Sequence, residues 1–133
     1  MSRESVEIVV AFFESEDLAT SIDALAEDVE LVFHGELRVL AGADRVSGKQ
    51  AAIKWFADYF SRFEHDYHFE VEEADDWGDD RVMVVTVHHG KGRSSGLPMA
   101  RRSANVMTVR DGKIVRQEMF TSPEEALAAS PRP

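Results

Sequence analysis

Apolar positions along the chain change period several times, and each change marks an element. Val6, Val9, Val10 and Phe13, widened by Ile8 and Phe12, recur at helical spacing and predict an amphipathic helix beginning just after Arg3. Asp17 can cap a second helix in which Leu18, Ile22 and Leu25 share a face, ending near Ala26. From Glu27 the period falls to two. Val29, Leu31 and Phe33 alternate with Glu30, Val32 and His34, the pattern of a strand closed by Gly35. Residues 37–48, with Gly42, Asp44 and Gly48 among scattered apolar side chains, read as a loop or a short irregular strand. Ser47 and Gln50 are spaced as a capping box. Ala52, Ile53, Phe56, Tyr59, Phe60 and Phe63 follow at helical spacing, predicting a long helix over 47–63.

The second half is dominated by the period of two. Tyr67, Phe69 and Val71 alternate with His68, Glu70 and Glu72 in a strand that should end at a polar turn over 75–80. Residues 81–89 are rich in valine, 91–98 form a glycine and serine connection, and 100–110 make another strand. Asp111-Gly112 is a strong turn signal before a last strand over 114–120, so these strands form an antiparallel meander. Ser122 and Pro123 start a short helix over 124–129, and 130–133 should fray. Helices segregated to one face of an antiparallel sheet give an α+β domain. The expectation is one domain over 1–133, with an ordered core over about 4–128.

Composition narrows the partners. Of 133 residues 44% are hydrophobic, enough for one core without disulfides, and cysteine is absent, which excludes thiol catalysis and fits a reducing cytoplasm. Asp and Glu number 25 against 15 Lys and Arg, a formal net charge of -10 that repels nucleic acid and anionic membrane surfaces. No stretch approaches the roughly 20 apolar residues that span a bilayer, so a soluble, unprocessed chain is expected. The acidic residues Glu70, Glu72, Glu73, Asp75, Asp76, Asp79 and Asp80 read as a solvated sheet edge. No metal is expected. His65 and His68 lack a third ligand at metal-site spacing, and the adjacent His88 and His89 point to opposite faces of a strand.

Four strings in order, Leu25-Ala-Glu-Asp-Val-Glu-Leu-Val-Phe33, Ser47-Gly-Lys-Gln-Ala-Ala-Ile53, Asn105-Val-Met-Thr-Val-Arg-Asp-Gly-Lys-Ile-Val-Arg116 and Ser122-Pro-Glu-Glu-Ala126, carry a resemblance. Over residues 6–128 the chain resembles the SnoaL-like branch of the nuclear transport factor 2-like superfamily, whose relatives include ketosteroid isomerase, limonene epoxide hydrolase and polyketide cyclases. The resemblance implies a cystatin-like cone, a curved antiparallel sheet wrapped around a long helix. It also implies a homodimer packed through the sheet's outer face.

The candidate site follows from strand parity within that cone. Val82, Val84, Thr86 and His88 share a face, and by resemblance His88 falls near a catalytic aspartate of the epoxide hydrolase. It is the candidate general acid or base, since imidazole exchanges protons near neutral pH. Asn105 aligns with the aspartic acid that donates into the isomerase oxyanion site and would supply an amide donor. Phe33 and Met119 stand where relatives carry catalytic carboxylates, which disfavours a straightforward steroid isomerase or epoxide hydrolase. Gln117 adds a neutral polar group, and Leu31, Phe33, Phe56, Tyr59, Met107 and Met119 are expected to line an apolar pocket. Two functions stay open. One is a cofactor-independent isomerase or cyclase acting on a small hydrophobic carbonyl compound of polyketide or terpenoid type; the other is a non-catalytic ligand-binding or dimeric interaction module.

Overall fold

Val9 and Phe13 lie one turn apart on α1 (Ser2–Glu14), and both are buried against the sheet. The computed structural model describes residues 2–15, 17–63, 67–92 and 96–129. The expected fraying of 130–133, and His65, lie outside these residues. After α1 come α2 (Leu18–Asp23), β1 (Leu25–Phe33), α3 (Leu37–Ala41), β2 (Arg45–Ser47) and α4 (Lys49–Phe60). Then follow β3 (His68–Gly78), β4 (Arg81–Lys91), β5 (Pro98–Arg110), β6 (Lys113–Phe120) and α5 (Pro123–Ala129). Asp17 caps α2 as expected, its carboxylate accepting from Ala19 N at 3.0 Å, but that helix ends before Leu25, which opens β1.

Three expectations in the middle of the chain are corrected. Residues 37–48 hold a short helix and a short strand, the helix closed by Gly42 in the left-handed conformation at φ 75°. The capping box does not form. Ser47 sits in β2 with its hydroxyl toward Glu30, Gly48 is the N-cap of α4, and that helix stops at Phe60. The strand expected to end at Asp75 runs on to Gly78, and its turn is Asp79-Asp80. Both of those residues have positive φ, as do Asp111 and Gly112, which is what a two-residue hairpin requires.

The sheet order is β2-β1-β6-β5-β4-β3. Strands β3 to β6 form the expected meander; β1 differs by lying parallel to β6, with Leu31 beside Gln117 and Phe33 beside Met119. Two helices, not one, cover the concave face: α1 packs on β3 and β4, and α4 on β1 and β2. A bulge between Val71 and Glu73 changes the parity of β3. Phe69 and Val71 pack inward before it, Ala74 after it, and Trp77 turns to the outer face. There Trp77, Met83, Val85, Ala104, Val106, Phe120 and Ala126 make a second buried cluster beneath α5. Ser122 caps α5, accepting from Glu125 N at 3.1 Å.

The acidic stretch does lie on an edge strand, and part of it is paired. Glu70 meets His89 at 3.0 Å and Glu72 meets Arg102 at 2.7 Å. Among the described residues no helix is long and apolar enough to cross a membrane.

Core burial makes a simple contrast. Leu31 is fully buried and Leu40 on α3 is 61% exposed. Denaturant unfolding should show Leu31→Ala losing about 3 kcal/mol, for lost transfer energy and a residual cavity, and Leu40→Ser changing by less than about 0.5 kcal/mol.

Candidate functional site

Strand pairing sets the site's rows. His88 stands between Phe69 and Arg101, Thr86 opposite Ser103, Val84 opposite Asn105, and Asn105 opposite Met119. The inward parity of β4 therefore places His88 on the concave face, and the same parity on β5 brings Arg101, Ser103, Asn105 and Met107 there. Between the sheet, the α1–α2 turn and α4 lies a cavity of about 990 Å³. Its wall is mostly aromatic and aliphatic. Trp55, Phe56, Phe60 and Phe63 come from α4 and the turn after it, and Phe12 and Phe13 from α1.

A file of polar groups crosses this wall. Arg101 Nη2 donates to Tyr59 Oη at 3.3 Å, and Tyr59 Oη lies 3.0 Å from Tyr67 Oη. Tyr67 Oη lies 2.6 Å from His88 Nδ1, and His88 Nε2 lies 2.7 Å from Ser103 Oγ. Ser103 in turn meets the buried Thr86 hydroxyl at 3.1 Å. Both ring nitrogens of His88 are thus engaged. Burial, the nearby Arg101 charge and His89 hold its pKa down at about 3, so the imidazole is neutral throughout the physiological range. Burial also raises the Tyr67 hydroxyl far above the ordinary tyrosine value, keeping it a phenol. Gly90 permits this arrangement, because a Cβ there would stand 2.6 Å from the Tyr67 ring.

A second polar group sits deeper. Gln117 Nε2 donates to Asn105 Oδ1 at 3.0 Å, tying β6 to β5, and Gln117 Oε1 is buried with no hydrogen-bond partner. The pair offers a spare acceptor beside Met119.

Of the residues expected from the sequence, His88, Asn105, Phe56, Tyr59, Gln117 and Met119 border the cavity. Leu31, Phe33 and Met107 do not. They are 3% exposed or less and pack in the main core, Phe33 against the Trp55 ring at 4.9 Å, because β1 and the far half of β5 lie beneath the helices. Sequence reasoning missed Tyr67, Arg101 and Ser103. The last two share the parity of Asn105, a signal that was available. Tyr67 precedes its strand, and nothing local links it to His88.

A family model described as SnoaL-like domain matches residues 6–117. No curated protein matches the chain. Solved structures agree on the fold. A hypothetical protein from Catenulispora acidiphila with a ketosteroid isomerase-like fold, solved with trimethylamine, is 21% identical; the match covers 100% of this chain and 96% of that one, with a TM-score of 0.70. A proposed SnoaL-like polyketide cyclase from Jannaschia is 19% identical over 99% of this chain and 94% of that one, with a TM-score of 0.75. A protein of unknown function with a cystatin-like fold from Xanthomonas campestris is 15% identical over 91% and 92%, with a TM-score of 0.69.

The state of His88 predicts a pH dependence of stability. Below pH 6.5 the unfolded chain takes up a proton on this residue that the folded chain refuses until about pH 3. The contribution is therefore complete above pH 6.5 and is lost as the pH falls toward 3. Between pH 7 and 5 wild type should lose about 2 kcal/mol more than His88→Gln, measured by denaturant unfolding of both chains. Equal losses would place the imidazole in water.

Proposed function

Because the chain belongs to the SnoaL-like family, in the nuclear transport factor 2-like superfamily, we propose that its cavity binds a small hydrophobic carbonyl compound of polyketide or terpenoid type. We infer further that it catalyses a cofactor-independent isomerisation or cyclisation by moving a proton between carbon and oxygen. The observation that carries this reading is the continuous file of hydroxyls running through His88 in an otherwise apolar wall.

The file explains how a neutral imidazole can work. Take the tautomer in which Nδ1–H donates to Tyr67, Tyr67 to Tyr59, and Tyr59 to the ligand's carbonyl oxygen. The Ser103 hydroxyl can turn to Thr86, leaving Nε2 free to take the proton from the carbon next to that carbonyl. As the C–H bond breaks, Nδ1 passes its proton to Tyr67, Tyr67 to Tyr59, and Tyr59 to the carbonyl oxygen, giving an enol. The imidazole exchanges one tautomer for the other and never becomes charged, so a pKa of about 3 is no obstacle. Arg101 polarises the Tyr59 O–H that makes the final transfer. Asn105 and Gln117 hold a second polar group of the ligand.

The alternative, ligand binding without turnover, is favoured by Phe33 and Met119, apolar residues where relatives of the superfamily carry carboxylates. The two readings separate in deuterium oxide. Proton NMR of β-tetralone should show exchange next to its carbonyl faster with wild type than in buffer, and slower by on the order of 100-fold in His88→Gln and in Tyr67→Phe. Binding seen by thermal shift with exchange no faster than in buffer would decide for the binding module.

Family membership also supports a homodimer as the working unit. Light scattering at micromolar concentration should give twice the chain mass of 14.9 kDa; a monomer would end this part of the reading.

A further inference from the structure

Among the described residues Arg101 is the cation on the cavity wall. The neighbouring Arg102, on the outer face, is paired with Glu72 at 2.7 Å. Arg45 is paired with Glu30, Lys54 with Asp58 and Lys49 with Glu27, as expected in a chain with 25 acidic residues. Arg101 points the other way, into the cavity, and among the described residues it makes no ion pair. Its one hydrogen bond to a described residue is the 3.3 Å contact from Nη2 to Tyr59, and its Nε is buried with no hydrogen-bond partner. A guanidinium offers five donors in a planar fork that matches a carboxylate, and half-burying it with donors unmet is costly.

The carboxylate nearest in kind does not meet this need. Among the described residues Glu14 is the acidic one on the cavity wall, and it accepts from Val71 N at 3.2 Å at the end of α1. Around Arg101 the surface is aromatic and hydroxylic. Tyr59 stacks on Trp55 with ring centroids 5.5 Å apart, and Phe63 lies 5.3 Å from Tyr59. An anion at the Nη end of the fork would add charge-assisted hydrogen bonds, and its carrier would have to be flat and apolar to suit these rings.

We propose that Arg101 is an anion subsite within the cavity and that the ligand is an apolar carboxylic acid. Its carboxylate would be held by the Arg101 Nη groups, and its hydrocarbon body would lie along the α4 aromatic wall. This rests on the cavity being the ligand site and adds the ligand's charge. It also accounts for a positive group in the pocket of a chain whose formal net charge is -10. The chain as a whole repels such an acid, so recognition depends on the local fork and not on the long-range field.

The test compares two probes of one shape, naphthalene carboxylate and naphthalene carboxamide, by isothermal titration at fixed salt. Wild type should bind the carboxylate tighter by on the order of 10- to 100-fold, the range for hydrogen bonds to a charged group. In Arg101→Gln the two probes should bind within about twofold of each other, and Arg101→Lys should keep part of the preference. Thermal unfolding should show Arg101→Gln no less stable than wild type, since a half-buried charge without an ion pair has been removed. Equal binding of the two probes to wild type would overturn the anion subsite while leaving the apolar cavity intact as a ligand site. So would a preference that survives in a folded Arg101→Gln. Failure of wild type to bind either probe would overturn both.

Discussion

The Tyr67 hydroxyl lies 2.6 Å from Nδ1 of His88, and the state of the other polar groups in the cavity follows from that contact. It joins a residue just outside the edge strand β3 to the neighbouring strand β4. With Nδ1 held on one side and Nε2 held by Ser103 on the other, the ring has one orientation and two tautomers. Burial removes the charged form, so what is left to it is the passing of protons and not their storage. Tyr59 and Arg101 extend the same file toward the aromatic wall, and Thr86 closes its other end.

Such a file could not exist on a flat sheet covered by one helix. The sheet curves through its bulges, and the two covering helices divide the work. Helix α1 fills the β3–β4 side with Val9 and Phe13, and α4 fills the β1–β2 side with Ala52 and Trp55. Between them the concave face stays uncovered, and polar side chains can stand there without displacing core. The outer face is closed separately by Trp77 and α5, so the two faces bury their apolar side chains independently. On the edge strand Glu70 meets His89 and Glu72 pairs with Arg102. Among the described residues the cation on the cavity wall, Arg101, faces inward without an ion pair.

Much of this could be read from residues alone, and the failures have physical causes. The alternation Val82, Val84, Thr86, His88 put His88 on the inner face correctly, because a strand's period of two is a local property. The same rule assigned Leu31, Phe33 and Met107 to that face, and they are there. Parity cannot say how deep along the cone a side chain sits, so core and cavity wall were not separated. The extension of β3 to Gly78 was hidden because Asp75 and Asp76 are turn formers by composition, and the bulge that turns Trp77 outward has no sequence marker. Ser47 and Gln50 had capping spacing, yet Ser47 was drawn into a β2–β1 pair instead.

Residue patterns alone fixed the order of the main helices and of the four-strand meander, the hairpin at Asp111-Gly112, the caps at Asp17 and Ser122 and the inward parity of His88, Asn105, Gln117 and Met119. Each depends on residues a few positions apart, and short-range sterics and hydrogen bonding decide it. It took the folded chain to bring Tyr67 to His88 and Arg101 to Tyr59 without a described carboxylate, and to set β1 parallel to β6 with Phe33 sunk against Trp55. Those contacts join residues brought together by sheet curvature and helix packing, and no local spacing encodes how far a sheet bends.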